Sequence, residues 1–206
     1  MKVLLINGSP HIQGNTAFAL AQMEEVFHAA GVETETIQVG SQLIRGCTGC
    51  GSCYKTGKCV FDDAVNETAE KLAAADGMVV GSPVYYASPN GTLLSFLDRL
   101  FYSTGRIDKR LKVGASVVVA RRGGCTASMD VLNKYFTISG MPVASSTYWN
   151  IIFGAKAGEA AQDAEGIRTM RNLAKNMVFL MHAVAAEAAQ NGLPEPEKKA
   201  FTNFIR

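Results

Sequence analysis

Long hydrophobic runs are missing from this chain of 206 residues. No apolar stretch approaches the roughly 20 residues that a membrane span requires, so no membrane partner is expected. An excess of one charge is missing too. Lys and Arg number 20 against 18 Asp and Glu, a net charge of +2, too small to argue for nucleic acid or an anionic surface. The chain enters an apolar pattern directly at Lys2, without the basic segment and cleavage site of a signal peptide. A cytoplasmic protein is therefore expected. There are no repeats and no low-complexity segments. No Ser/His/Asp order and no paired carboxylates stand near the distinctive loops, which disfavours hydrolysis. His28 and His182 fall within helical patterns and read as structural.

What is present is 48% hydrophobic and 18% charged residues, a composition that suits one globular α/β domain with a full core. The chain is organised around its first seventeen residues. Lys2-Val3-Leu4-Leu5-Ile6-Asn7 reads as a strand covered on both faces, because its apolar run shows no alternation. Gly8 to Thr16 follows as a loop of turn formers and hydroxyls, and a helical pattern opens at Ala17. Strand, Gly-containing loop and helix N-terminus together form an anion site, since unpaired N–H groups and the positive end of the helix dipole point at one spot. Asn15 stands where a P-loop carries Lys, so a nucleoside triphosphate would lack its counter-charge. The G-x-G-x-x-G dinucleotide fingerprint is absent as well. A neutral set of donors from Ser9, His11, Gly14, Asn15 and Thr16 suits a single phosphate monoester, as in FMN.

Along the chain, the spacing predicts helices over 17–30, 64–75, 89–101, 127–139 and 163–190. Strands are predicted over 32–39, 77–81, 113–120 and 142–149. The 113–120 strand is the most apolar and is expected to be central. Asp62 or Asp63 should cap the second helix. Alternation of strands and helices predicts a five-stranded parallel sheet with helices on both faces, joined by right-handed crossovers. Ligands of such sheets sit at the carboxyl ends of strands, which singles out loops 9–16, 82–90 and 121–126. Pro83, Val84, Tyr85 and Tyr86 offer flat apolar faces with hydroxyl handles, suited to a planar aromatic ligand. Gly123 and Gly124 permit close approach of the backbone, and Arg122 could place positive charge at the edge of a flavin.

Gly8-Ser9-Pro10…Gly14-Asn15-Thr16, Ser82-Pro83-Val84-Tyr85-Tyr86 leading to Phe96-Leu97-Asp98-Arg99, and the Arg-Gly-Gly loop together resemble the NADPH-dependent FMN reductase group of flavodoxin-like proteins. The resemblance weakens after about residue 150. It implies a flavodoxin-like three-layer sandwich over 1–206 as a single domain, with tightly bound FMN and NAD(P)H as co-substrate. It also implies a homodimer or homotetramer with the flavin near a subunit interface. The 9–16 segment would hold the FMN phosphate, and 83–86 and 122–124 would border the isoalloxazine. No protein side chain is then expected to act as the catalyst, because the flavin does the chemistry.

Cys47, Cys50, Cys53 and Cys59 fall within one Gly-rich loop, which reads as an insertion over 46–60. In a reducing compartment such thiols are ligands or redox groups rather than disulfides. C-x2-C-x2-C is a ferredoxin-type spacing, whereas structural zinc usually has two Cys pairs with a longer spacer. An iron–sulfur cluster, a zinc site and redox-active thiols all remain open on the residues. The compact spacing is similar to that of the iron–sulfur flavoproteins, a branch of the same group that carries a [4Fe–4S] cluster beside FMN. Cys125 stands apart and reads as a small packing residue. The expected activity is an FMN-dependent oxidoreductase whose partners are a small-molecule electron donor and acceptor. The alternative is an iron–sulfur flavoprotein that carries electrons between partner proteins.

Overall fold

The computed structural model describes residues 1–198, 200–202 and 204–205. Its elements run β1 (Lys2–Asn7), α1 (Asn15–Ala29), β2 (Glu33–Gln38), α2 (Ser52–Thr56), α3 (Ala64–Ala74), β3 (Gly77–Tyr85), β4 (Ser88–Pro89), α4 (Gly91–Ser103), β5 (Val113–Ala120), α5 (Cys125–Ile138), β6 (Ile151–Phe153), a 3-10 turn (Glu159–Gln162) and α6 (Ala164–Asn191). The main sheet has the order β2-β1-β3-β5-β6, all parallel. Helices cover both faces, so the fold is the expected flavodoxin-like sandwich. The order reverses between β1 and β3, which opens a crevice there at the carboxyl ends of the strands.

Alternation along β1 explains the two cores. Val3 and Leu5 join Leu20, Met23 and Phe27 of α1 and Met170, Leu173 and Met177 of α6. Leu4 and Ile6 point the other way, to Val65 and Leu72 of α3, Leu93, Phe96 and Leu97 of α4, and Leu132 and Phe136 of α5. Both sides of the strand are apolar because both are buried. β2 is the edge strand and is not fully buried at any position. Its Glu35 is held below the usual carboxylate range by hydrogen bonds from Lys2 and Lys71. Among the described residues, no helix is long and apolar enough to cross a membrane.

Several expectations shift. β3 lies in the middle of the sheet and β5 beside it. β5 is nonetheless buried at every position, which is why composition alone suggested the centre. Residues 142–149 do not form the last strand. Only Val143 bridges to Gly114 before the chain leaves the sheet, and the edge is completed by β6. Pro142 offers a carbonyl to the Gly114 N–H but has no N–H to extend a ladder. β3 also runs past Gly81, with Ser82 and Pro83 registered against Val118 and Val119. Pro89 stands not in α4 but in β4. Asn90 caps α4 instead, its Oδ1 accepting from the N–H of Thr92 at 2.7 Å and Leu93 at 3.3 Å. Asp63 caps α3, as expected, by accepting from the Val65 N–H.

β3 and β4 form a hairpin closed by Tyr86 and Ala87, at φ values of 52° and 59°. Two positive φ angles are what a twisted two-residue hairpin demands, and Gly or Asn normally supplies them. Left-handed backbone costs a residue with a Cβ about 1–2 kcal/mol, while glycine forfeits roughly 0.5–1 kcal/mol of chain entropy. Ala87→Gly is therefore expected to stabilise the ligand-free protein by about 0.5–1 kcal/mol, seen as a rise in melting temperature. A fall would show that the Ala87 methyl contributes more by packing than the turn costs in strain.

Candidate functional site

A cavity of about 380 Å³ opens at the crevice between β1 and β3, within the range of small-molecule sites. The loop after β1 supplies Ser9, His11, Gly14, Asn15 and Thr16. The end of β3 supplies Pro83, Val84 and Tyr85, and the end of β5 supplies Val119, Ala120 and Arg121. Three loops far apart in sequence meet because each leaves the same edge of a parallel sheet.

Donors dominate its β1 side. Gly14 stands at the N-cap of helix α1 and gives no side-chain cap, and no acidic residue stands in its first turn. The first intrahelical bond runs from the Phe18 N–H to the Gly14 carbonyl, which leaves the N–H groups of Asn15, Thr16 and Ala17 without an intrahelical partner. The residues that carry these groups are buried or half-buried. Among the described residues the Thr16 hydroxyl has no hydrogen-bond partner, although Thr16 is only 2% exposed. Ser9 is held from both sides: its N–H donates to Asn7 Oδ1 at 3.0 Å, and its Oγ accepts from the His11 N–H at 3.1 Å. Its hydroxyl proton remains available. Uncapped buried N–H groups with two hydroxyls and no carboxylate fit a dianionic phosphate monoester.

Asn15 has a second task. Its Nδ2 donates to the Lys156 carbonyl at 2.9 Å and its Oδ1 accepts from the Ala160 N–H at 3.2 Å. At most one amide hydrogen is left for a ligand, so Asn15 chiefly ties the segment after β6 to the start of α1. That segment adds Gly154, Ala155 and Ala157 to the cavity wall. Sequence reasoning missed them because it placed the last strand too early. The run of small residues after Phe153 was the available signal. A Cβ at Gly154 would stand 2.7 Å from Asn15 Nδ2 and 2.8 Å from the Ala160 nitrogen, so only glycine fits there.

The remaining expected residues lie apart. Tyr86 is fully exposed at the hairpin tip and does not line the cavity. Arg122, Gly123 and Gly124 instead line a neighbouring cavity of about 520 Å³, with Cys125, Tyr148, Trp149 and Phe153. Gly124 joins the two regions, since a Cβ on it would come within 2.7 Å of Ala87 Cα and 3.0 Å of Val84 Cγ1. Burial pushes the Cys125 thiol up, so it stays protonated at neutral pH and packs as expected.

The cysteine loop forms a second centre. Cys47, Cys50, Cys53 and Cys59 line one small cavity together with Phe61, Arg99 and Tyr102. Cys47 and Cys50 are exposed, and Cys53 and Cys59 are half-buried. Among the described residues, no group of three His, Cys, Asp or Glu side chains is placed to hold a metal ion. Gly49 and Gly51 adopt φ values of 64° and 69°, left-handed turns that wrap the loop around the cavity. The short helix α2, unforeseen inside this loop, carries Cys53. Cys59 is the fixed corner. Its N–H donates to Asn66 Oδ1 at 2.9 Å, and Asn66 Nδ2 donates back to its carbonyl at 3.0 Å. Arg99, only 1% exposed, donates to its sulfur. An arginine on the apolar face of α4, between Phe96 and Leu100, was the sequence signal for a buried charge with a special partner. Tyr102 is pushed up to about 12 by hydrogen bonding to Tyr54, with burial adding to the effect, so it faces this cavity as a neutral phenol.

The family model for the NADPH-dependent FMN reductases matches residues 1–156. An iron–sulfur flavoprotein of Methanocaldococcus jannaschii is 33% identical over 191 residues, covering 89% of this chain and 99% of that one. An iron–sulfur flavoprotein of Methanosarcina thermophila is 30% identical over 188 residues, with 89% and 97% covered. Among solved structures, an NAD(P)H:quinone oxidoreductase from Methanothermobacter marburgensis superposes with a TM-score of 0.68 at 16% identity, covering 86% of this chain and 96% of that one. At that identity the likeness concerns the fold.

Proposed function

The chain belongs to the NADPH-dependent FMN reductase family, and from that membership we propose that it oxidises NAD(P)H through FMN and passes the electrons to a quinone, a free flavin, a metal or an iron–sulfur acceptor. The observation that carries this reading is the uncapped start of α1 at the β1/β3 crevice, where Thr16 has no protein partner. Ser9, Gly14, Thr16 and the free N–H groups would hold the FMN phosphate, with His11 at the rim and Asn15 fixing the wall opposite. Pro83, Val84 and Tyr85 would flank the ring system, and Arg121 and Arg122 would bring positive charge towards it. When bound, FMN would supply the redox chemistry, accepting two electrons and releasing them singly or as a pair. The chain's part is to orient the flavin and to exclude water with the 83–87 hairpin and the 154–157 segment.

Four thiols on one cavity are the donor set of an iron–sulfur cluster; no three of them are placed to hold a metal ion as the loop stands, so Cys47, Cys50, Cys53 and Cys59 would have to draw together to hold a [4Fe–4S] cluster. The names of the relatives support this. A second reading, electron carriage between partner proteins, is favoured by the same cavity, because a cluster passes one electron at a time. We further propose that residues 1–206 form one FMN-binding domain with the cysteine loop as an insertion. A cytoplasmic homodimer or homotetramer completes the proposal, supported by the exposed Tyr86, Tyr148, Trp149 and Phe153 near the flavin crevice.

Anaerobic purification followed by absorption spectroscopy and iron and sulfide analysis tests the cofactors. Bleaching of the flavin by NADPH or NADH tests the activity, and failure of both to bleach it would leave only the carrier reading. Cys50→Ser should abolish iron while the FMN content stays at the wild-type level. Loss of both cofactors together would show that the cysteine loop supports the flavin site rather than forming a separate centre.

A further inference from the structure

We infer that Arg99 is a positioning residue that raises the reduction potential of the metal group held at Cys59, by donating hydrogen bonds to the Cys59 sulfur. The inference rests on the reading that the cysteine loop holds an iron–sulfur cluster.

Arg99 has five N–H donors in a rigid fork and is almost wholly buried. Nη1 donates to Asp63 Oδ2 at 2.6 Å and Nη2 to Asp63 Oδ1 at 3.0 Å. Backbone carbonyls accept two more contacts, Phe61 at 3.1 Å from Nη2 and Arg45 at 3.5 Å from Nη1. The Phe61 ring covers the guanidinium at 5.1 Å. The remaining edge of the fork faces sulfur, with Nε at 3.3 Å and Nη2 at 3.2 Å from Cys59 Sγ.

An ion pair alone does not account for this placement. Asp63 already caps α3 and needs only the Nη edge of Arg99 to join α4 to that cap. A neutral thiol is a weak acceptor, and burying a cation against one is unfavourable unless its donors find something better. A metal-bound thiolate is that acceptor, because it carries negative charge. The backbone of Cys59 is clamped by Asn66, which fixes the position from which its side chain reaches the fork. Each electron added to a cluster places more negative charge on its sulfurs. A fixed cation that hydrogen-bonds one of them stabilises the reduced form more than the oxidised form. Arg99 would thereby make electron transfer from the flavin to the cluster more favourable.

The test is a redox titration of anaerobically purified holoprotein, followed by the electron paramagnetic resonance signal of the reduced cluster, in wild type, Arg99→Gln, Arg99→Lys and Asp63→Asn. Arg99→Gln should keep its iron and lower the reduced-to-oxidised ratio at a fixed ambient potential at least tenfold, equivalent to about 59 mV for a one-electron couple. Arg99→Lys, which keeps the charge but not the fork, should fall between. Asp63→Asn breaks the ion pair yet leaves the donors to Cys59, and it should not lower the ratio. Iron-loaded Arg99→Gln with the wild-type potential would overturn the inference, as would a fall in Asp63→Asn matching that in Arg99→Gln. Where the Gln variant fails to fold, the iron–sulfur stretching vibrations of wild type decide instead. Hydrogen bonding to sulfur predicts a shift on transfer to deuterium oxide, and its absence would refute the bond. Wild-type protein without iron would remove the cluster reading itself, an outcome distinct from an iron-loaded protein of unchanged potential.

Discussion

Thr16→Val is expected to weaken FMN binding by one to two orders of magnitude while the fold stays intact. Valine keeps the shape of threonine and the methyl group that packs towards Gly81. What it removes is a hydroxyl that has no hydrogen-bond partner among the described residues, on a largely buried residue that lines the cavity at an uncapped helix start. A hydrogen bond to a charged group contributes about 1.5–3 kcal/mol, which corresponds to roughly 10- to 150-fold in affinity. Fluorescence titration of the flavin-free protein measures the effect. Riboflavin, which has no phosphate, should bind both proteins equally, and an equal loss for both flavins would place the Thr16 hydroxyl elsewhere than on the phosphate. Unchanged FMN affinity would remove Thr16 from the site.

Gly40→Ala is expected to be among the most destabilising single changes in the chain. A Cβ at this position would stand 2.3 Å from the Gly8 oxygen, 2.3 Å from the Ser9 carbonyl carbon and 2.4 Å from the Ser9 oxygen. All three are backbone atoms, which cannot swing aside as a side chain can. Overpacking typically costs 1–3 kcal/mol and occasionally more, and the upper end applies here. About 3 kcal/mol in a chain of this size lowers the melting temperature by roughly 6–12 °C. The displaced backbone is that of the loop after β1, which lines the cavity through Ser9 and is proposed to hold the FMN phosphate, so FMN affinity should fall too, although residue 40 does not line the cavity. Thermal unfolding of the flavin-free variant and FMN titration of the folded fraction check the two parts separately. A melting temperature within about 1 °C of wild type would show that the loop moves freely.

Much of the fold was legible in the chain because its elements carry their own local signals. β1 and β5 are apolar runs that both faces of a parallel sheet require. Asp63 announces α3 as a cap, and Gly8 to Thr16 announces a strand-to-helix turn rich in donors. The family resemblance rested on some of the same segments, chiefly the donor-rich loop after β1. Residues 142–149 misled because Pro142 and the apolar residues around it mimic a strand start. Whether a segment pairs depends on a neighbour's register, which no local pattern contains. The hairpin at Tyr86 and Ala87 was equally hidden, as neither residue favours positive φ and the turn is imposed by the pairing of β3 with β4.

The sequence by itself determined the alternation of the main strands and helices from β1 to α5, though not α2 or β4, together with the donor-rich loop after β1 and the set of four thiols, because each depends on residue type and spacing along the chain. Only the tertiary structure decided that Asn15 is turned to the 154–160 segment, that Gly124 abuts Ala87 and that Arg99 meets Cys59 across forty positions. Such contacts form between side chains whose separation is set by sheet order and helix packing. For Asn15 and Arg99 their energy comes from satisfying buried polar groups.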